Sequence, residues 1–315
     1  MGPALIRDLE DSVAPNTWRA YRSDLADYSL WIDQEARKWR EPESIADYMR
    51  CLETGSSYAT ITRRLTAIHK LLAIEALASR SPVFEDPTKH PLVSVTLQAI
   101  RNRLRTDQDQ ASPITAPRLV QILTAIDSAT IAGTRDVALL LVGWYGALRR
   151  SELAGLRRPH VTHDPDGLVL RLTESKGSHE SVYVPIARQP DSNWDPMGRL
   201  EAWLDVVEAH QPTSEAIWLR VTKGDTIVSP SSMSSAAINH LVQRRARAAG
   251  VVPADGFGNY SAHSLRAGFI TEAKNRRIDE ADIMRHTRHK SVQVMRRYDR
   301  TSGLWTRNAT SGMGI

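Results

Sequence analysis

Five side chains of this sequence could act together on a phosphate. Four come in order near its C-terminal end: His263 and Arg266 in His263-Ser264-Leu265-Arg266, His289 in Arg288-His289-Lys290-Ser291, and Tyr298 in Met295-Arg296-Arg297-Tyr298. The fifth, Arg149, stands far upstream in Gly146-Ala147-Leu148-Arg149-Arg150-Ser151-Glu152-Leu153. Two permanent cations, two imidazoles and one phenol form a workable phosphate-cleaving set. The guanidiniums can neutralise a phosphoryl transition state, and the phenol can attack phosphorus.

Each group needs an element to hold it. His263 and Arg266 are three residues apart, so on a helix capped by Ser261 they share a face, and the N-terminus of that helix adds a positive field. By itself the pair is commonplace, and most His-x-x-Arg strings are surface features. Arg149 falls where the apolar run Val137 to Leu148 ends and where Ser151 could cap a following helix. The plain alternative for Arg149 is an ion pair with Glu152. Tyr298 is flanked by Arg296-Arg297 and Asp299-Arg300. A phenol with an ordinary pKa of about 10 is a poor nucleophile without nearby cations and a base. Lys176 occupies the turn Glu174-Ser175-Lys176-Gly177-Ser178 between two alternating stretches, Leu168 to Leu172 and Ser181 to Ile186, which together predict a β-hairpin. A lysine at such a tip is usually a solvated residue.

The rest of the chain reads as mostly helical. Trp18, Tyr21, Leu25, Tyr28 and Ile32 recur by threes and fours behind a cap at Asn16 or Thr17. Ile45, Tyr48, Met49 and Leu52 predict a second helix, and a third runs from about Ala59 to Ala78. That third helix has Ile61, Leu65, Ile68, Leu71 and Leu72 on one stripe and Thr60, Arg63, Arg64 and Lys70 on the other face. A fourth stretch ends in Arg101, Arg103 and Arg105. The polar segment Thr106 to Pro113 is the best linker. This divides the chain into a helical domain at 1–105, a linker at 106–113 and a second domain at 114–315. In the second domain, helices are expected at Leu119 to Ile126, Val137 to Leu148, Met197 to Ala209, Ala236 to Ala249, Ser264 to Lys274, Glu280 to Arg285 and Val292 to Tyr298.

Composition sets the outer limits. A chain of 315 residues is long for one core, and 41% hydrophobic content belongs to a globular protein. The 41 basic side chains exceed the 36 acidic ones, which suits a polyanionic partner without requiring one. Cys51 is the only cysteine, so no intrachain disulfide forms and a cytoplasmic setting is expected. The longest apolar run is too short for a membrane span, and no Asp, Glu, His and Cys cluster has metal-ligand spacing, so neither a membrane nor a metal or other cofactor is expected.

The two boxes around Arg149 and around His263, Arg266, His289 and Tyr298 resemble those of the tyrosine recombinases, the phage integrase family. The likeness covers almost the whole chain, with a Cre-like and Xer-like order of elements. It implies a mainly α fold: an N-terminal helical core-binding (SAM-like) domain, and a C-terminal, mostly helical catalytic domain with a small antiparallel β-sheet. It implies site-specific recombination of double-stranded DNA at a specific target site by a homo-tetramer on two duplexes, through a 3′-phosphotyrosyl intermediate. Tyr298 would be the nucleophile. Arg149, Arg266 and His289 would bind phosphate oxygens, with Glu152 supporting Arg149. His263 would be the base and Lys176 the acid. Thr60, Arg63, Arg64, Lys70, Arg101, Arg103 and Arg105 would contact DNA. The first helix begins too early to leave room for an added arm-binding domain, and the tail carrying Trp305 is expected to dock on a neighbouring protomer. One departure stands out. The family usually has glycine before the histidine at 289, at a helix C-cap, and this chain has Arg288, which incurs a steric cost if the left-handed conformation is required. Two other classes fit the residues less closely: a type IB topoisomerase-like enzyme, and a DNA-binding protein without catalysis.

Overall fold

A computed structural model of the chain describes residues 7, 12–78, 85–104, 110–172, 181–191, 193–289 and 291. Lys176, Tyr298, Arg105, the expected helix from Val292 to Tyr298 and the tail with Trp305 lie outside them. The chain forms two compact units, Met1–Gln108 and Asp109–Ile315.

Among its described residues the first unit has four α-helices, α1 (Pro15–Gln34), α2 (Pro42–Leu52), α3 (Tyr58–Ala78) and α4 (Pro91–Arg103), and a short 3-10 turn at Pro87–Lys89. Three of the α-helices open with proline, whose fixed φ and missing N–H suit the first helical turn. That corrects one expectation: Ala14 precedes α1 and Pro15 starts it, so Asn16 and Thr17 lie inside the helix rather than capping it. The apolar stripes meet as expected. Tyr28, Ile32, Ile45, Tyr48, Met49, Ile61, Ile68, Leu72, Val93 and Ile100 form one buried cluster, each large side chain contributing about 1.5–3 kcal/mol when fully buried. Around it, Arg63 pairs with Asp24 and Arg64 with Asp27, which ties α3 to α1.

In the second unit α5 (Ala116–Thr124) leads to the apolar α6 (Ile131–Tyr145), then the short α7 (Arg150–Ala154). Strands β1 (Val161–Asp164), β2 (Gly167–Leu172) and β3 (Val182–Ala187) form an antiparallel sheet in that order. Leu168, Leu170, Leu172, Val184 and Ile186 face the core from β2 and β3, the alternation that made the hairpin legible. β1 is an addition to the expected sheet, because its mostly exposed residues carry no alternation. Helix α8 (Pro196–His210), a second ribbon of β4 (Leu219–Val221) and β5 (Ile227–Ser232), and helices α9 (Ser235–Ala248), α10 (His263–Asn275) and α11 (Glu280–Thr287) complete the described residues.

Part of the expected linker belongs to this second unit. The Gly258 N–H donates to the Gln110 carbonyl at 2.8 Å, and the Ser112 N–H donates to the Gly258 carbonyl at 3.2 Å. Ser112 is fully buried, and its Oγ accepts from the Ala254 N–H. Residues 110–113 are therefore a docked segment, not a free connector. The next residue, Ile114, fixes α10. Its N–H donates to the Ser264 carbonyl at 3.0 Å, and its own carbonyl accepts from Trp144 Nε1 at 2.8 Å. A Cβ on Gly268 would lie 1.8 Å from that carbonyl, so only glycine permits the approach. The apolar α6 is held from outside by charge. Asp136, fully buried, accepts from Arg135 and Arg245 at 2.6–2.8 Å and so binds α6 to α9.

Candidate active site

The end of α6 turns sharply. Gly146 closes the helix, and Ala147 takes a positive φ of 43°, a conformation that a residue with a Cβ adopts only at a cost. The turn ends at Arg149, the N-cap of α7. Ser151 lies within that helix, so the expected serine cap is replaced by Glu152, whose Oε2 accepts from the Arg149 N–H at 2.7 Å. Glu152 Oε1 also accepts from Arg149 Nη1 at 2.6 Å. The ion pair weighed as the plain alternative does form, yet the Arg149 side chain keeps 40% of its exposure and its Nη2 reaches the Arg288 carbonyl at 3.3 Å. Arg149 is thus oriented and still accessible to an anion.

Helix α10 brings His263 and Arg266. Ser261 Oγ accepts from the His263 N–H, close to the expected cap, although Ala262 is the residue at the helix boundary. Arg266 is 1% exposed. Its Nη1 donates to the Ala147 carbonyl at 2.6 Å, and its Nη2 to the Thr287 carbonyl. Nη2 also lies 3.3 Å from His289 Nε2. Arg266 is therefore clamped between the α6 turn and the end of α11, 119 and 21 residues away in sequence.

The end of α11 supplies His289. Thr287 Oγ1 donates its proton to the Ile283 carbonyl at 2.6 Å, so in its 2.7 Å contact with His289 Nδ1 the hydroxyl accepts and Nδ1 carries the hydrogen. Nε2 is then the bare nitrogen, facing Arg266. Between them Arg288 adopts the left-handed conformation, φ 60° and ψ 40°, as the C-cap. The arginine standing where the family has glycine does accept the steric cost, roughly 1–2 kcal/mol.

Electrostatics tie the four groups into one site. His263 stands at the surface beside the arginines. Desolvation by the surrounding protein, then Arg266 and Arg149, lower its pKa. His289 is pushed down to about 4 by burial, then by Arg266, Arg149, His263 and Arg288. Both imidazoles are therefore neutral at pH 7. Burial pushes the Glu152 carboxyl up, but Arg288 and the bonds from Arg149 outweigh it and hold it below its ordinary value. Sequence reasoning missed His286, whose Nε2 is 2.7 Å from the Tyr145 carbonyl and whose ring stacks on Phe269. It also missed Thr287 and the side chain of Arg288, both invisible until α11 is set against the α6 turn.

Among the residues expected to contact DNA, Lys70 and Arg101 are exposed. Thr60 is half-buried, 3.0 Å from Ser57 Oγ. Arg63 is held by Asp24. Arg64 is half-buried, pairs with Asp27 and bonds Tyr48, so it is engaged within the first unit. Arg103 forms a two-point pair with Glu53 at 2.6 and 2.8 Å.

Residues 112–303 match the phage integrase family, and residues 7–77 match its N-terminal SAM-like domain. The chain belongs to the phage integrase family. An integrase/recombinase xerD homolog of Selenomonas ruminantium is 30% identical over 98% of this chain and 88% of its own length. Two solved structures share the fold. One is XerH recombinase bound to a palindromic substrate after cleavage, with 18% identity, 86% of this chain and 72% of that chain covered and a TM-score of 0.59. The other is a lambda integrase tetramer bound to a Holliday junction, with 15% identity, 94% and 76% covered and a TM-score of 0.60. The integrase architecture is thus the mainly helical, two-part fold expected from sequence, with small antiparallel sheets. The enzyme is a tyrosine-type recombinase that cleaves and rejoins DNA site-specifically.

Proposed function

We propose that the recombinase cleaves one DNA strand at a time with Tyr298, at a site built from Arg149, Arg266, His263 and His289. The observation that carries this reading is the clamping of Arg266 against the Ala147 carbonyl and beside His289, with Arg149 anchored to the same α11 terminus. Two guanidiniums tied to the same α11 terminus can offer donors to the non-bridging oxygens of one phosphodiester. His263, neutral at pH 7, accepts the phenolic proton. The tyrosyl oxygen bonds to phosphorus as the bond to the 5′ oxygen breaks, and Lys176 protonates that leaving oxygen. A 5′ hydroxyl from the partner duplex reverses the step. Bond energy is retained in the phosphotyrosine, so rejoining needs no external energy source.

The first unit supplies DNA contacts chiefly through Lys70 and Arg101, and Arg63 contributes by exchanging Asp24 for a phosphate. The active assembly is a homo-tetramer on two duplexes in the cytoplasm; a structural neighbour that is itself a tetramer on a Holliday junction supports this stoichiometry. A nicked duplex carrying the target site tests the chemistry. The wild-type chain should accumulate a covalent protein–DNA adduct, and Tyr298→Phe should bind the duplex without forming one. An undiminished adduct in Tyr298→Phe would remove Tyr298 from this role.

A further inference from the structure

Arg288 does more than occupy a C-cap. Its guanidinium turns back across the site, and Nη2 pairs with Glu152 Oε2 at 2.9 Å and donates to the Ala147 carbonyl at 3.2 Å. Nη1 donates to the His286 carbonyl at 2.9 Å and lies 3.4 Å from the Gly146 carbonyl. The side chain is 12% exposed and Glu152 9%. One arginine thus links three segments that each hold a catalytic group: the α11 terminus with His289, the α6 turn that anchors Arg266, and Glu152, which orients Arg149.

The charges give the link a second consequence. Glu152 is the carboxylate that both Arg149 and Arg288 engage. Were Arg149 its only partner, the carboxylate would cancel the positive charge meant for the phosphate. With Arg288 on the other oxygen, the triad keeps one net positive charge. A glycine would take the left-handed backbone without strain, so the arginine retained here is explained by its side chain rather than by its backbone.

We propose that Arg288 is a positioning residue for strand cleavage: it shares Glu152 with Arg149 and leaves the charge of Arg149 available to the scissile phosphate. The inference rests on the site assignment above. It makes the availability of the Arg149 charge depend on a side chain at a position where the family usually has glycine.

Adduct formation on the nicked duplex, followed under single-turnover conditions across protein concentrations, tests it. Arg288→Gly relieves the backbone strain, so its thermal midpoint should not collapse, and Arg288→Lys provides a second variant that keeps the charge without the fork. Arg288→Gly should lower the saturating cleavage rate roughly 10–100-fold, the scale of a misplaced reacting group, while the half-saturating concentration stays unchanged. Arg288→Lys should fall between it and wild type. Glu152→Gln in the Arg288→Gly background should recover part of the rate, because it removes the carboxylate that now neutralises Arg149 alone. A merely structural strut would show no such recovery. The proposal is overturned if Arg288→Gly cleaves at the wild-type rate, or if the double variant is as slow as the two single losses multiplied. A wild-type chain that forms no adduct would instead strike the site assignment itself.

Discussion

At the scale of single residues, the two arginines are held by different means, and their replacement should reveal it. Arg266 spends two nitrogens on carbonyls from distant segments, at Ala147 and Thr287. Arg149 engages Glu152 through Nη1 and, more loosely, the Arg288 carbonyl through Nη2, and its side chain keeps 40% of its exposure for a ligand. A lysine has neither the planar fork nor the reach for two fixed carbonyls. Arg149→Lys and Arg266→Lys should each slow cleavage by about 10²–10³, the loss of about 3–4 kcal/mol expected when a charge-assisted donor leaves such a site. Arg266→Lys should also lower stability, because it leaves buried carbonyls without donors; urea unfolding beside single-turnover cleavage separates the two effects. The histidines give a pH signature. His263, His286 and His289 all titrate below their ordinary 6.5 in the folded chain. Their folded state therefore binds fewer protons than the unfolded one, and stability without DNA is lost as pH falls below about 6.5 towards about 4. A bound phosphate favours protonated His263 and His289 and raises their pKa. DNA binding should therefore tighten between pH 7 and pH 5, after correction for unfolding, as titration of a fluorescent duplex can show. Binding that weakens over that interval would contradict the placement of the imidazoles at the phosphate.

At the scale of elements, the site depends on how closely α10 approaches the segment before α5. The carbonyl of Ile114 meets Gly268 with no room for a side chain, and Trp144 ties the same carbonyl to α6. Gly268→Ala would push α10 away and carry His263 and Arg266 with it. Overpacking of this kind costs about 1–3 kcal/mol, and because the obstacle is backbone the variant should fall at the upper end by urea unfolding. Cleavage should drop more than DNA binding, since the first unit is untouched. A Gly268→Ala chain with wild-type unfolding midpoint would show that α10 can shift freely. The hairpin between β2 and β3 was legible because its two strands alternate. β1, β4 and β5 were not, because β1 is largely exposed and the β4–β5 ribbon is short and has an irregular register.

At the scale of the whole molecule, each unit has its own main core among the described residues, one around Tyr28, Ile45 and Ile61 and one around α6, and a small cluster of Ile270, Ala273 and Ile283 joins α10 to α11. The units divide between Gln108 and Asp109, within a run of alternating Asp and Gln. Residues from 110 onward are hydrogen-bonded into the second unit. Limited proteolysis without DNA should therefore cut between Leu104 and Ala111 and release two resistant fragments, each folded by circular dichroism. Bound duplex should protect the segment. First cuts inside α1 to α4 or inside α6 would argue against two independently stable units.

The sequence by itself determined what depends on local periodicity and on residue type. The apolar stripes of α1, α2 and α3 follow from spacing by threes and fours, α6 from an unbroken apolar run, and the β2–β3 hairpin from strand alternation. The candidate groups Arg149, His263, Arg266 and His289 were legible by residue type, because charge and hydrogen-bonding capacity belong to the side chain wherever it lies. Only the tertiary structure decided which carbonyls clamp Arg266, that Ser151 yields its capping place to Glu152, and that Arg64 and Arg103 are engaged in pairs within the first unit. It also decided the role of Arg288. In sequence this residue is a departure with a steric cost; folded, its guanidinium lies among Gly146, Ala147 and Glu152, more than 130 residues away. The physical reason is range. Helical and strand periodicity are written within a few residues, whereas hydrogen bonds between the α6 turn and the α11 terminus exist only once packing has brought the two together.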